Sequence, residues 1–162
     1  MRRLFETITE FDTDAAREAL RRHRYGVIEA TGGRVTAIHL RPWPKLLSWS
    51  EFWPTSSRYH ARGEGDRCLI YYNQPLGHSN YLALKYIVST AGSSYATFCA
   101  AVNELDRIAE LKRSDALLCD AANVRLSDRL FARFGWEPHA ASRWHRNFIK
   151  RFYGAYPAGR GG

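Results

Sequence analysis

The sequence contains few cysteines, the residues that define disulfide-rich and zinc-binding proteins of this size. Among its 162 residues there is one methionine, and the cysteines are Cys68, Cys99 and Cys119. They form no Cys-x-x-Cys pair, which disfavours a disulfide framework and a structural zinc site. Two of the three lie in apolar runs, so the sequence predicts free buried thiols in a reducing, cytoplasmic compartment.

Long hydrophobic runs are absent as well. No stretch reaches the roughly 18 consecutive apolar residues of a membrane-spanning helix. The N-terminal segment MRRLFETITEFD gains acidic residues too early for a secretory signal. Neither internal repeats nor a second domain are evident. We therefore expect a single domain over residues 1–156, a disordered tail over 157–162 and no membrane contact.

Acidic residues are outnumbered by basic ones. Twenty-four Lys and Arg against 16 Asp and Glu leave a formal net charge of +8 and a pI near 9.7. A basic balance rich in arginine suits an anionic partner such as nucleic acid, a phosphorylated cofactor or an acidic surface. Nucleic acid is possible but not favoured, because many basic proteins bind none.

The N-terminal half predicts a strand, a helix and a β-hairpin. From the spacing of apolar residues, the strand is predicted at residues 4–9 and the helix at 12–24. The two strands of the hairpin are predicted at 24–30 and 34–40. Asp12 or Thr13 is the expected N-cap of the helix, whose acidic residues come early and basic residues late. The segment 42–66, rich in Trp and Pro, predicts a long irregular excursion packed over the sheet.

Changes of period predict strand, strand, long helix, strand, short helix and strand in the C-terminal half. The predicted bounds are 67–73, 81–90, 94–112, 115–121, 124–134 and 142–153. The apolar face of the long helix is expected to hold Tyr95, Phe98, Cys99, Val102, Leu105, Ile108 and Ala109, and its other side Glu104, Asp106, Arg107 and Glu110. The second strand is apolar on both faces, as a central strand is. A strand-helix-strand unit of this kind predicts a parallel pair with the helix on one face.

The short helix ends in an informative way. Its apolar face consists of Leu126, Leu130, Phe131 and Phe134. Gly135 follows where a left-handed C-terminal cap is needed, and Trp136 begins the next strand. The residues expected to be buried in this unit are Leu117, Leu118, Leu130, Phe134 and Trp136.

This order of elements, closed by a hydrophobic-Gly-aromatic sequence, resembles the GNAT superfamily of acyl-CoA N-acyltransferases. The family pattern N-x-x-A-x-x-L-Y-x-x-x-G-F is matched by Asn123, Leu130, Gly135 and Trp136 with one extra residue of spacing, and the similarity covers residues 81–152. The resemblance implies an α+β (α/β three-layer) fold with a mixed, mostly antiparallel sheet, a splayed parallel pair and flanking helices. The alternative is another α/β or α+β domain whose helix ends in Gly-Trp.

The resemblance also implies acyl-CoA, with acetyl-CoA as the expected cofactor, an amine acceptor, and a pyrophosphate held at the N-terminus of the long helix. The family motif there, R/Q-x-x-G-x-G/A, corresponds to residues 89–94 and keeps one of its glycines. The implied cofactor-binding residues are Val88, Ser89, Gly92, Ser93, Ser94 and Asn123. The alternative is that Ser93 or Ser94 simply caps the helix.

The family's general acid is missing from its usual position. Many members have a tyrosine four residues before the glycine, and this chain has Phe131, which carries no proton to give. Tyr86, Tyr95 and Cys119 lie near the predicted cleft and are the candidate replacements. The catalytic residue is otherwise unknown.

Two hypotheses of function stay open. One is an acyl-CoA-dependent N-acyltransferase, weak or inactive because of Phe131 and the altered phosphate loop. The other is a non-catalytic GNAT-fold protein that binds nucleic acid or another anion through the basic residues of 143–151, which also suit a charged edge strand. Four of the six histidines, His60, His78, His139 and His145, have no metal-ligand spacing with a cysteine or carboxylate, so no metal is expected. The acceptor and the oligomeric state are not readable.

Overall fold

The computed structural model describes residues 5–43, 65–90, 92–120, 126–139 and 147–157. The strands are β1 Glu6–Ile8, β2 Tyr25–Thr31, β3 Arg34–Arg41, β4 Arg67–Asn73, β5 Tyr81–Ser89, β6 Ala116–Asp120, β7 Glu137–Pro138 and β8 Asn147–Arg151. The helices are α1 Asp14–Arg22, α2 Tyr95–Leu111 and α3 Asp128–Arg133. Most of the predicted excursion at 42–66 and of the predicted tail at 157–162 lies outside the described ranges.

The described strands form one mixed sheet in the order β1-β3-β2-β4-β5-β6-β8-β7. Neighbours are antiparallel except for β5 and β6, which are parallel and joined through α2. This confirms the predicted fold class, an α+β arrangement with a mostly antiparallel sheet, one parallel pair and flanking helices. The hydrophobic core lies on one face of the sheet. Every second residue along the central strands points to this face, and these residues, such as Ile28, Ile70 and Leu82, form one buried cluster with the helices.

The first helix and the hairpin form where the sequence predicts them. Thr13 caps α1, and its hydroxyl accepts a hydrogen bond from the N–H of Ala16 at 3.1 Å. The turn between β2 and β3 places Gly32 and Gly33 at φ +60° and +81°, a conformation that favours glycine. The N–H of Gly33 donates to the hydroxyl of Thr97 at 2.8 Å, which ties the hairpin tip to the first turn of α2.

The long helix has the predicted length but not entirely the predicted face. Ser94 is its N-cap, as expected for one of the two serines. Tyr95, assigned to the apolar face, is 48% exposed, whereas Asp106, assigned to the polar side, is only 5% exposed. The assignment of Asp106 was wrong because its carboxylate has a partner in the core: Lys150 of β8 donates to it at 2.7 Å.

The last strand also differs from its prediction. β8 is not an edge strand, because it pairs with β6 on one side and with the two-residue β7 on the other. Lys150 is 8% exposed and so does not belong to a solvated basic face. Residues 140–146, which include most of the predicted basic segment, lie outside the described ranges.

The short helix is shorter than predicted, since Ser127 caps it and Asp128 begins it. Its end is as expected, with Gly135 at φ +84° and the N–H of Trp136 donating to the carbonyl of Phe131 at 3.0 Å. Of the predicted core set, Leu117 and Trp136 are buried. The other three members are only partly buried, namely Leu118, Leu130 and Phe134.

The anchor of α3 is Phe131, which is 2% exposed and stacks on Phe148 with ring centroids 4.2 Å apart. Replacing Phe131 with Ala should lower the free energy of unfolding by about 3–5 kcal/mol, because it leaves a cavity at the sheet. Replacing the half-buried Phe134 should lower it by only about 1–2 kcal/mol. Urea denaturation measures both, and a loss for Phe134→Ala as large as that for Phe131→Ala would contradict the role of Phe131 as the main anchor.

The buried pair of Asp106 and Lys150 gives a second prediction. Burial raises the pKa of Asp106, and the bond from Lys150 opposes that shift. Asp106→Asn should lower the free energy of unfolding by about 3–5 kcal/mol, because it leaves the Lys150 ammonium buried without a counter-charge. The double variant Asp106→Leu with Lys150→Met should unfold at nearly the wild-type urea concentration. A double variant as unstable as the single one would contradict this account.

Candidate functional site

The described pairing between the parallel strands covers only the first part of β5. β5 and β6 are paired from Tyr81 opposite Ala116 to Leu84 opposite Cys119. β5 then continues to Ser89, still paired with β4 but without a described partner on the β6 side. Within the described residues, the edge of 85–89 that faces away from β4 is therefore unpaired, and we refer to it as the open edge of β5.

A bulge on β5 follows its last described pair with β6. Tyr71 of β4 is opposite Tyr86 and Tyr72 is opposite Leu84, so Lys85 is an extra residue on β5. A bulge increases the local twist and bends its strand. The bend therefore comes directly after the last pair with β6 among the described residues.

Five of the six predicted cofactor-binding residues are described, and they lie along this edge and in the loop that leads to α2. Val88 is 36% exposed, Ser89 is exposed, and Gly92 and Ser93 lead to the N-cap of α2 at Ser94. The hydroxyl oxygen of Ser93 is buried and has no hydrogen-bond partner among the described residues. Asn123, the sixth candidate, lies outside the described ranges. The structure thus brings together those candidates it describes.

An aspartate that the sequence did not single out occupies the N-terminus of α2. The N–H of Ser94 donates to one carboxylate oxygen of Asp66 at 2.6 Å, and its hydroxyl donates to the other at 2.7 Å. The bond from the backbone of Ser94 is the main cause of a lowered pKa at Asp66, followed by bonds from the side chains of Thr97 and Ser94. A negative charge therefore already lies where a helix dipole attracts an anion.

The loop before α2 is hydrogen-bonded to Gly65 and Arg67. The hydroxyl of Thr90 donates to the carbonyl of Gly65 and accepts from the N–H of Arg67 at 3.2 Å. A side chain at Gly92 would place its first carbon 3.4 Å from the carbonyl oxygen of Gly65. At that distance the carbon would make an ordinary van der Waals contact with the carbonyl oxygen.

Two backbone donors of the first helical turn have no acceptor in the described part of the chain. The N–H groups of Thr97 and Phe98 are bonded to Ser94. Those of Tyr95 and Ala96 have no partner among the described residues. They point along the helix axis as the unsatisfied donors of any helix N-terminus do. An anion could use them alongside Asp66 only at the cost of like-charge repulsion.

Tyr95 lies at the mouth between α2 and α3. The guanidinium of Arg133 is 5.1 Å from the centre of its ring, and the ring of Phe134 is 6.3 Å away. A hydrogen bond with Cys99 is the main cause that raises the pKa of Tyr95, so its phenol keeps its proton at neutral pH. Among the three candidate acids this one is both exposed and beside the helix N-terminus.

The other two candidate acids lie elsewhere. Cys119 is 4% exposed on the helix-covered face of β6. Tyr86 projects from the opposite face of β5, where its ring meets that of Tyr71 edge-on at 6.2 Å. The three predicted candidates therefore do not form one cluster.

A narrow apolar crevice runs between β5, α2 and α3. Its lining consists of Leu84, Ile87, Phe98, Val102, Leu105, Leu126, Leu130, Phe131, Phe134 and Trp136. Phe98 and Phe134 meet edge-on across it, with ring centroids 5.4 Å apart. The crevice joins the open edge of β5 to the core without a polar side chain in its described lining.

The sequence matches no protein-family model, and no curated protein matches it. A solved structure, that of nourseothricin acetyltransferase, is similar to this one with a TM-score of 0.45 and 12% sequence identity. The match covers 92% of this chain and 99% of that chain. At this similarity no functional residue is transferred between the two proteins, and the roles of residues rest on the geometry of this site.

Two further observations concern the described ranges only. No helix within them is long and apolar enough to cross a membrane. No group of three His, Cys, Asp or Glu side chains within them could hold a metal ion. His78 and His139 lie at the other end of the parallel pair, around a separate cleft.

The contact between Asp66 and Ser94 predicts a pH-dependent contribution to stability. Because the folded state lowers the pKa of Asp66, the ionised carboxylate stabilises the fold at neutral pH. Asp66→Asn should therefore lower the melting temperature at pH 7. The difference from wild type should shrink as the pH falls below the ordinary aspartate value of 3.8 and through the lowered value in the folded protein. Thermal denaturation across pH measures it.

Asp14→Asn is the matched control, since Asp14 is an exposed acid in the first turn of α1. It should show a smaller difference, because its contact is a surface ion pair with Arg17 at 3.4 Å. A destabilisation by Asp66→Asn that is constant from pH 7 to pH 2 would show that the charge of Asp66 has no part in it.

Proposed function

We propose that this protein is a GNAT-like acyl-CoA-dependent N-acyltransferase, which transfers an acetyl group from acetyl-CoA to an amine. The observation that carries the proposal is the open edge of β5 at residues 85–89, next to the N-terminus of α2. The GNAT resemblance implies a splayed parallel pair beside the first turn of a long helix, and an edge of β5 without a described β6 partner supports that arrangement. The amine acceptor is left open.

The residues around this edge fit the cofactor in part. Val88 and Ser89 would lie along the pantetheine arm, and the loop at Gly92 would approach the pyrophosphate. Three donors have no described partner and suit an anion: the hydroxyl of Ser93 and the N–H groups of Tyr95 and Ala96. The carboxylate of Asp66 opposes the same anion, so binding by the wild-type protein should be weak.

The chain's own residues supply a route for the proton. A neutral amine attacks the thioester carbonyl, whose oxygen can accept from a backbone N–H on the open edge of β5. Tyr95 keeps its proton at neutral pH and stands beside Phe134 of the crevice lining, so we assign it the donation of that proton to the departing thiolate. The phenolate regains a proton, through water, from the ammonium formed on the attacking nitrogen. Tyr86 and Cys119 are weaker candidates, because one lies on the opposite face of the sheet and the other is buried.

The cytoplasmic location is part of this proposal. The three cysteines, Cys68, Cys99 and Cys119, are free thiols. Free thiols are the ordinary state in a reducing compartment.

A second candidate function is a non-catalytic protein of the same fold that binds nucleic acid or another anionic partner. The observation in its favour is that Asp66 already satisfies the amide and hydroxyl of Ser94. Phe131, buried at the family's tyrosine position, agrees with it. In this candidate the helix N-terminus serves the fold alone.

Calorimetric titration with coenzyme A separates the two candidates. Asp66→Asn should bind coenzyme A about tenfold more tightly than wild type, because it removes a charge that faces the pyrophosphate. Ser94→Asp should abolish binding while keeping a residue that can cap α2. Asp14→Asn, at the start of α1, should bind as wild type does.

Transfer to a panel of small amines, followed by release of the coenzyme A thiol, tests the reaction itself. Tyr95→Phe should lower kcat by about a hundredfold while leaving coenzyme A affinity unchanged. If neither wild type nor Asp66→Asn binds coenzyme A at millimolar concentration, the transferase is excluded and the non-catalytic candidate stands.

A further inference from the structure

A second cleft lies at the opposite end of the parallel pair from the open edge. It measures about 650 Å³, which is within the range of small-molecule sites. Its lining consists of Pro75, His78, Tyr81, Asp115, Ala116, Leu118, His139, Ile149, Arg151, Tyr153 and Gly154. On each strand these lining residues alternate with the residues that point into the core. The cleft therefore lies on the sheet face away from the described helices.

The register of three strands shapes the floor of this cleft. Tyr81 of β5 is opposite Ala116 of β6, and Ala116 is opposite Arg151 of β8. The row therefore runs large, small, large, with an aromatic ring and a guanidinium on either side of a methyl group. Two strand spacings of about 4.8 Å separate the outer side chains, which is room for a planar ring. Leu118 and Ile149 continue the apolar floor in the next row.

Rings line the walls on several sides. The rings of His78 and Tyr81 are 6.4 Å apart on the β5 side. His139 follows β7 on the far side, and its described hydrogen bond is made by its backbone, not its imidazole. Aromatic and imidazole faces at such spacings suit stacked or edge-on contacts with an aromatic ligand.

Tyr153, which lines the cleft, adopts a backbone conformation that disfavours a residue with a side chain. It has φ +51° in the turn before Gly154, and its side chain is 83% exposed. A residue with a side chain rarely adopts this conformation, and such positions concentrate at functional sites. An exposed aromatic side chain therefore stands at a strained position where glycine would be more stable.

One cation in the cleft has donors to spare. Within the described residues the guanidinium of Arg151 makes one ion pair, with Glu137 at 3.5 Å, and the side chain is 39% exposed. Of the acids, Asp115 lines the cleft but already accepts from the amide of Asn80 at 3.0 Å. Arg151 can therefore offer a pair of N–H groups to a planar carboxylate or to a phosphate.

We propose that this cleft binds a small aromatic molecule that carries an anionic group, with the ring over Ala116 between Tyr81 and Tyr153 and the anion on Arg151. The proposal is independent of the transferase function, because it shares no residue with the open edge of β5. A mononucleotide and an aromatic carboxylic acid have this chemistry in common. The experiment distinguishes the two sources.

Calorimetric titration of the full chain with adenosine monophosphate, phenyl phosphate and benzoate tests the site, with inorganic phosphate and benzyl alcohol as half-ligands. At least one of the three complete probes should bind at least tenfold more tightly than either half-ligand. Preference for the monophosphate indicates a nucleotide, and preference for benzoate an aromatic acid. Equal binding of phosphate and phenyl phosphate would overturn the role of the ring. No binding of any complete probe at 10 mM, on the order of the weakest useful affinity, would overturn the site.

Two variants locate the binding. Arg151→Gln should weaken it about tenfold, because a charge-assisted pair of bonds is lost. The matched control is Arg17→Gln, since Arg17 is 41% exposed and has one carboxylate contact at 3.4 Å on α1. Equal effects of the two substitutions would place the anion elsewhere.

Tyr153→Gly supplies a readout that a merely structural role would not give. Glycine relieves the positive φ at this turn, so the variant should melt at a higher temperature than wild type. It should also bind the aromatic anion about tenfold more weakly, because one wall of the cleft is lost. A variant that is more stable and binds with unchanged affinity would contradict the assignment of Tyr153.

Discussion

The extra residue at Lys85 is the constraint on which the rest of the candidate site depends. Up to Leu84, β5 is paired on both sides, and after the bulge its partner among the described residues lies on the β4 side alone. Backbone N–H and C=O groups on an unpaired edge need another partner. In the described part of the chain, the bulge thus precedes a strand edge without a partner, next to the first turn of α2.

The N-terminus of α2 concentrates the opposing charges of the site. Asp66 satisfies the N–H and hydroxyl of Ser94, while the N–H groups of Tyr95 and Ala96 and the hydroxyl of Ser93 have no described partner. The same helix dipole favours the built-in carboxylate and a bound phosphate. A phosphate group of acyl-CoA would therefore have to compete with the carboxylate of Asp66, which already occupies the helix N-terminus.

The two ends of the parallel pair have different chemistry because they use different faces of the same strands. At the C-terminal end, Leu84 and Ile87 face the helices and line an apolar crevice. At the N-terminal end, Tyr81 and Ala116 face away from the helices, beside Arg151. The alternation of side chains along a strand thus separates a proposed transfer site from a proposed binding cleft.

The sequence by itself determined the elements, because their signals are local. A cap at Asp12 or Thr13, a cap at Ser93 or Ser94, the Gly32-Gly33 turn and Gly135 as a left-handed helix end follow from the chemistry of neighbouring residues. The structure places the caps at Thr13 and Ser94 and confirms the turn and the helix end. Only the tertiary structure decided which distant residues meet. Asp66 lies 28 positions before Ser94, and Lys150 lies 44 positions after Asp106. No period or spacing links such pairs, since they come together only when the sheet order and register are formed.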